Sequence, residues 1–322
     1  MARTAAIAIL ASGTLLLGAR CYFIYQREEP RAVQDAGRVS STNTAHAAFT
    51  AGATQKQKPL VSALPMLRTA AFSPSFAAST SAMFYHSGSG RRSAIMRADM
   101  SRDNGIVRVT ELVDDLAGNF HPRPSPDGRQ IAFDSDRDGE RGVYVANADG
   151  SGVRRVSGEG FAAVPNWSPD GRFLAIVRAE RDRSRVWNIW TVDVATGAMR
   201  RVTSHRFGQP WSAAWFPDGE RIAYSHEDRF VVRTLSGDSV RVFTSPIRGR
   251  LVRTPAISPD GRHVVFQVRH DGAWMLELAS GRMRRILEDP SAEEFAWFAD
   301  GAHVAYHSRR SGSWGLWMTS AL

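Results

Sequence analysis

Cysteine is all but missing from this chain: Cys21 stands alone among 322 residues, so no disulfide forms within it. The remainder carries no thiol, a composition suited to an oxidising compartment. Lysine is scarce as well. Of 41 Lys and Arg only Lys56 and Lys58 are lysines, and neither sits in a Gly-rich frame, which excludes a phosphate-binding P-loop. The nine histidines include no H-E-x-x-H. No G-x-S-x-G nucleophile elbow occurs either; Ser89 in HSGSG only imitates one. The net charge of +9 is carried almost wholly by arginine. Those arginines are scattered among Asp and Glu and form no stripe with stacking aromatics, so nucleic acid is not expected as a partner.

What remains is an ordinary globular composition, 43% hydrophobic and 23% charged, with nine Trp and sixteen Phe for a core. The N-terminus is different. Arg3 precedes an apolar run from Ala5 to Ala19, the length of a secretory signal core. Extended through Arg20 to Tyr25, it is just long enough to span a bilayer, with Arg20 reaching the interface. Residues 1–25 therefore read as a signal peptide or a membrane anchor. Arg20 directly before Cys21 is wrong for a lipoprotein signal, which needs a small residue there. Residues 26–58, rich in Ala, Thr, Ser and Gln without apolar periodicity, read as a flexible linker.

The rest repeats itself. PSPDGRQIAF, WSPDGRFLAIV, WFPDGERIAYS, ISPDGRHVVF and WFADGAHVAYH align on Asp127, Asp170, Asp218, Asp260 and Asp300, at spacings of 43, 48, 42 and 40 residues. A period near forty with several short strands is the mark of a propeller blade. In the motif, Pro presets the first corner of a tight turn, Asp bonds the turn backbone and Gly supplies positive φ, so two antiparallel strands meet there. Further strands follow, such as Gly142–Ala146 and Val186–Val192, and then arginine-bearing fourth strands, Val153–Val156 and Met199–Val202. A degenerate first copy runs from Ala71 to Leu112, and counting it gives six blades. The last copy stops after three strands, at Trp314–Met318. Since open sheet edges are a liability, Pro59–Leu67 (PLVSALPML) is expected to supply its fourth strand. The predicted fold is an all-β, six-bladed β-propeller over residues 59–322, monomeric, its last blade closed by an N-terminal strand.

The S-P-D-G-x-x-I-A-F pattern at this period resembles the TolB-type propellers, also called Pro-Asp or WD-like repeats. Residues 1–58 are too short and polar for the α/β domain that TolB itself carries, and no hydrolase domain follows the last blade. The resemblance therefore implies the scaffold rather than the job.

Candidate site residues come from the stretches leading into each Pro-Asp-Gly motif: Gly118–Pro124, Phe161–Trp167, Gly208–Trp215, Arg250–Ile257 and Ser291–Trp297. Read as loops at one mouth of the channel, they present Phe120, His121, Arg123, Asn166, Trp211, Arg253, Glu293 and Glu294. Aromatic and Arg side chains at such a mouth suit peptide or protein anchoring. Trp167, Trp215 and Trp297 are expected to pack between blades. The run Asp134, Asp136, Asp138, Gly139 opens like a calcium loop, but Val145 stands where a bidentate Glu is required, so it reads as a polar hairpin. His86, His226 and His307 recur after the second strand and are expected to lie around a ring without converging. No catalytic residue, metal site or cofactor is predicted. The expectation is a non-enzymatic, extracytoplasmic binding, scaffold or sensor module for a peptide or protein, membrane-associated through its N-terminus. The alternative is a lyase or hydrolase of the propeller type, acting on polysaccharide in the channel.

Overall fold

In a computed structural model of the chain, the described residues are 64–67, 70–77, 79–89, 92–180, 183–237 and 240–321. All belong to one unit, Val61–Leu322. The expected leader (1–25) and linker (26–58) lie outside the described residues. Among the described residues no helix is long and apolar enough to cross a membrane.

Six four-stranded antiparallel sheets form the blades of a propeller. Blade 1 holds β2 (Ala71–Phe76), β3 (Ala82–Ser89), β4 (Arg92–Met100) and β5 (Ile106–Val113). Blade 2 holds β6 (Asn119–Pro124), β7 (Gln130–Ser135), β8 (Gly142–Asn147) and β9 (Arg154–Arg155). Blade 3 holds β10 (Ala162–Trp167), β11 (Phe173–Glu180), β12 (Arg183–Asp193) and β13 (Met199–Arg201). Blade 4 holds β14 (Trp211–Trp215), β15 (Arg221–His226), β16 (Arg229–Thr234) and β17 (Val240–Thr244). Blade 5 holds β18 (Val252–Ile257), β19 (His263–Val268), β20 (Gly272–Glu277) and β21 (Met283–Leu287). Blade 6 holds β22 (Glu293–Trp297), β23 (His303–Ser308), β24 (Gly315–Ser320) and, as its outer strand, β1 (Leu64–Leu67). The closure is as the truncated last repeat demands. Leu64 pairs with Met318 and Leu67 with Leu316. Met66 and Leu67 pack on Met83, Tyr85 and Leu316.

The motif residues behave as their chemistry requires. In blade 2, the Ser125 hydroxyl donates to Asp127 at 2.6 Å and accepts from the Gln130 amide at 2.9 Å. The Gly128 amide donates to the Ser125 carbonyl at 2.9 Å, with Gly128 at φ 71°. Ser168 and Ser258 repeat these bonds to Asp170 and Asp260. The core lies between blades. Val143 and Val145 of blade 2 face Leu174 and Ile176 of blade 3, and Phe230 of blade 4 faces Phe266 of blade 5. Trp167, Trp215 and Trp297 lock blade to blade: their indole N–H groups donate to the Arg123, Asn166 and Ala256 carbonyls of the preceding blade at 2.9, 3.1 and 2.9 Å.

Candidate functional site: two rings around the channel

Each innermost strand breaks its ladder once. In β6 the register jumps between Phe120 and Arg123, and the same one-residue excess occurs in β2, β10, β14, β18 and β22. Each bulge centres on a non-glycine residue of positive φ: Ser73, His121, Val164, Ser212, Thr254 and Glu294, all between 48° and 54°. A bulge re-aims one side chain and leaves one backbone group unpaired. In four blades proline follows the bulge residue (Pro74, Pro122, Pro165, Pro255), which removes a donor the broken ladder cannot use. These six positions form the first ring.

A second ring stands behind it. The second-strand residues paired with the position before each bulge are His86, Asp134, Val177, Ser225, Gln267 and His307. All are buried, and five of the six are polar. Their job is partly structural: the amide freed at a bulge donates across the blade boundary to this ring. The Val164 amide reaches Asp134 Oδ1 at 3.1 Å, and the Ser73 amide reaches His307 Nδ1 at 3.2 Å.

The two rings meet in a bar across the channel. His121 donates from Nδ1 to Asp134 Oδ1 at 2.8 Å and from Nε2 to Glu294 Oε1 at 3.0 Å, linking blade 2 to blade 6. Arg141, from the hairpin after β7, caps the bar 3.4 Å from Asp134 Oδ2 and lies 4.1 Å over the Phe120 ring. Burial works against charging His121, but the two carboxylates outweigh it and raise its pKa to about 9. Burial likewise opposes charge on Glu294, and His121 overrides it, holding that carboxyl well below the usual range. His86 and His307 go the other way. Burial pushes both down, His307 less because Glu294 and Glu293 oppose it, so both are neutral.

The expected site residues therefore sit on strands, not on loops. The stretches taken for mouth loops are β6, β10, β14, β18 and β22 themselves, because each repeat enters the ring directly at its innermost strand. His121 and Glu294 are in the first ring and touch. Phe120, Trp211, Arg253 and Glu293 stand one residue earlier, next to the second ring. Trp211 stacks on Trp187 at 5.9 Å. Arg123 and Asn166 lie beyond the bulge, joined by a 3.3 Å bond from Arg123 Nε to Asn166 Oδ1. The histidine expectation is corrected too. His226 falls one residue past the second-ring position and stacks on His205 at 4.0 Å in blade 4. His86 and His307, by contrast, flank a single ring, Phe72, at 5.2 and 5.4 Å. Asp134 was hidden in what reads as a polar hairpin. Its signal was positional: it is the fourth residue of the apolar run IAFD, aligned with Ser225 in IAYS, Gln267 in VVFQ and His307 in VAYH.

Beyond the bar, toward the Pro-Asp-Gly turns, the channel widens into a cavity of about 420 Å³. Its walls include Trp167, Trp215 and Trp297, and its polar lining includes Arg123, Asn166, Thr254 and Glu294. Among the described residues, buried Thr254 Oγ1 and Glu294 Oε2 have no hydrogen-bond partner.

Comparison with known proteins places this geometry. A family model described as the TolB beta propeller domain matches residues 49–227. The Tol-Pal system protein TolB of Francisella tularensis is 29% identical over 148 residues, 45% of this chain and 34% of that protein. The chain spans about half or less of the curated relatives it matches, 52% and 34% of two of them. Among solved structures, a putative TolB from Agrobacterium tumefaciens superposes with a TM-score of 0.60 at 18% identity, over 78% of this chain and 90% of that one. An oligogalacturonate lyase in complex with manganese superposes with a TM-score of 0.52 at 12% identity, over 82% and 91%. At these identities the likeness is one of fold. The residues here do not fit the lyase's metal. Among the described residues no three His, Cys, Asp or Glu are grouped to hold an ion. Both nitrogens of His121 are committed to carboxylates, and His86 is stacked on Phe72.

Proposed function

The chain belongs to the TolB β-propeller domain family, and from that premise we propose that it is a non-enzymatic binding module, extracytoplasmic, whose channel receives an extended segment of a protein partner. One observation carries the reading: an aromatic-walled cavity opens on the channel axis with few, convergent polar groups around it. Chemistry needs a base or acid free to move a proton. The charged histidine at this site has both ring nitrogens engaged, the neutral His307 already accepts the Ser73 amide, and the neutral His86, its Nδ1 unpartnered among the described residues, is packed against Phe72 and Phe120. The N-terminal apolar run supports export and association with a membrane. The lyase-like alternative keeps the support of two structural likenesses, TM-scores 0.52 and 0.54.

The test uses the full chain as bait on an envelope extract, beside a Trp211→Ala/Arg123→Gln variant whose melting midpoint is checked. A partner recovered by wild type and lost by the folded variant is the expected result. Equal recovery by both would move binding off the channel. Chain cleavage of a polyuronate by the purified protein would replace the proposal with the alternative.

A further inference from the structure

One cation lines the cavity outside the ion pairs of the bar. Within the bar, charges cancel: Arg141 and His121 are positive, Asp134 and Glu294 negative. Arg123 is left over. Its Nε donates to Asn166, and its Nη1 donates to the Pro122 carbonyl at 2.9 Å and lies 3.5 Å from that of Ser73. No carboxylate lies within ion-pair distance of it among the described residues, Glu294 and Asp134 act on it only through space, and it lines the cavity. Asn166 Nδ2 is tied in turn to Ser212 Oγ at 3.3 Å, so the guanidinium is held in place from blades 1, 2, 3 and 4. A partly buried guanidinium that lines a cavity and is fixed by its neighbours is a built anion site.

The other groups narrow the anion. Glu294 lines the same cavity and its Oε2 has no partner among the described residues, so a dianion would meet repulsion while an N–H would meet an acceptor. Thr254 Oγ1 adds one hydroxyl, also unpartnered. The three tryptophans have spent their N–H groups on neighbouring carbonyls and offer only ring faces. A sugar acid would bring several hydroxyls against tryptophan faces that offer them no partner. A terminal residue of a peptide brings one carboxylate, one amide N–H and one side chain.

We infer that this cavity takes the free carboxyl end of a peptide chain, with Arg123 holding the carboxylate, Glu294 or Thr254 the last amide, and the tryptophan faces the terminal side chain. The inference rests on the channel-binding reading above and names its ligand. Arg123 is thus a binding residue, and the ligand enters from the end of the ring where the Pro-Asp-Gly turns lie.

The test passes a pool of N-acetylated tripeptides, each present as free acid and as C-terminal amide, over immobilised full-length protein, with retained species counted by mass. Free acids should be retained at least about tenfold over their amides, the weight of one charge-assisted bond. Arg123→Gln should bring the ratio to about one, Arg123→Lys should keep part of it, and Thr254→Val should weaken retention at an unchanged fold. Melting midpoints separate lost binding from lost structure. Equal retention of acids and amides would overturn the role of Arg123 and leave the channel reading intact. Retention of neither, with a channel-dependent envelope partner still captured, would overturn the carboxyl-end inference alone. Retention of galacturonate oligomers in place of peptides would overturn both.

Discussion

His121 keeps its proton because Asp134 and Glu294 bracket it, and this has a consequence for stability. Its folded pKa of about 9 lies above its ordinary value of 6.5. The stabilisation is therefore complete below pH 6.5 and is lost as pH rises toward 9, by about 3 kcal/mol at most. Glu294, held low by the same contact, adds stability above its ordinary 4.5 that is lost as pH falls through its depressed value. Thermal melts should thus show a plateau between roughly pH 4.5 and 6.5 and decline on the alkaline side. His121→Gln removes the cation bonded to both buried carboxylates and leaves only Arg141 beside Asp134, a loss of about 3 kcal/mol. In that variant the trend should reverse, acid restoring stability as a carboxyl takes up a proton. A variant that melts like wild type at every pH would contradict the charged bar.

At the scale of a strand or turn, backbone conformation decides which residues are replaceable. Gly272, the first residue of β20, has φ 142°, and a Cβ there would lie 2.1 Å from the Leu287 carbonyl oxygen and 3.0 Å from the Asp289 nitrogen. Gly301, in the last Pro-Asp-Gly-type turn, has φ 66° with open space where its Cβ would go. Gly301→Ala should therefore cost about 1–2 kcal/mol, the left-handed penalty alone. Gly272→Ala, which must also move backbone, should cost more than about 3 kcal/mol. Denaturant titration of the two variants checks the order. Bulges obey the same logic with an opposite outcome. Val164 holds φ 54° despite its branched Cβ, because the amide freed there donates to Asp134 and the side chain is buried.

For the whole molecule the decisive joint is between the first strand and the last. β1 covers the edge of β24 within blade 6, and the Ser73 amide of blade 1 bonds His307 of blade 6. A chain beginning at Pro59 should melt like the full protein. One beginning at Arg68 loses the ladder to β24 and the packing of Met66 and Leu67. We expect it to be less stable by about 3 kcal/mol and to associate through the uncovered edge. Size-exclusion chromatography and melting of the two truncations provide the measurement.

Most of the architecture was legible in the chain. Turn chemistry and a forty-residue period are local signals, so the blade count, the strand order and the packing role of Trp167, Trp215 and Trp297 followed from them. The missing fourth strand of blade 6 followed from the need to pair an edge, which is again readable by counting. The site was only half legible. His121, Arg123, Asn166 and Glu294 could be picked as residues near the axis, but as loop residues, since nothing in NFHPRP marks a strand that bulges. That His121 and Glu294, 173 positions apart, would share a hydrogen bond was decided by ring closure. So was the burial of Asp134, which in sequence is one acid among three, and the place of Arg123 on the cavity wall. A repeat specifies each blade from within. Which side chains meet on the axis depends on how six blades are arranged around it, and that is set by packing between blades rather than by any one of them.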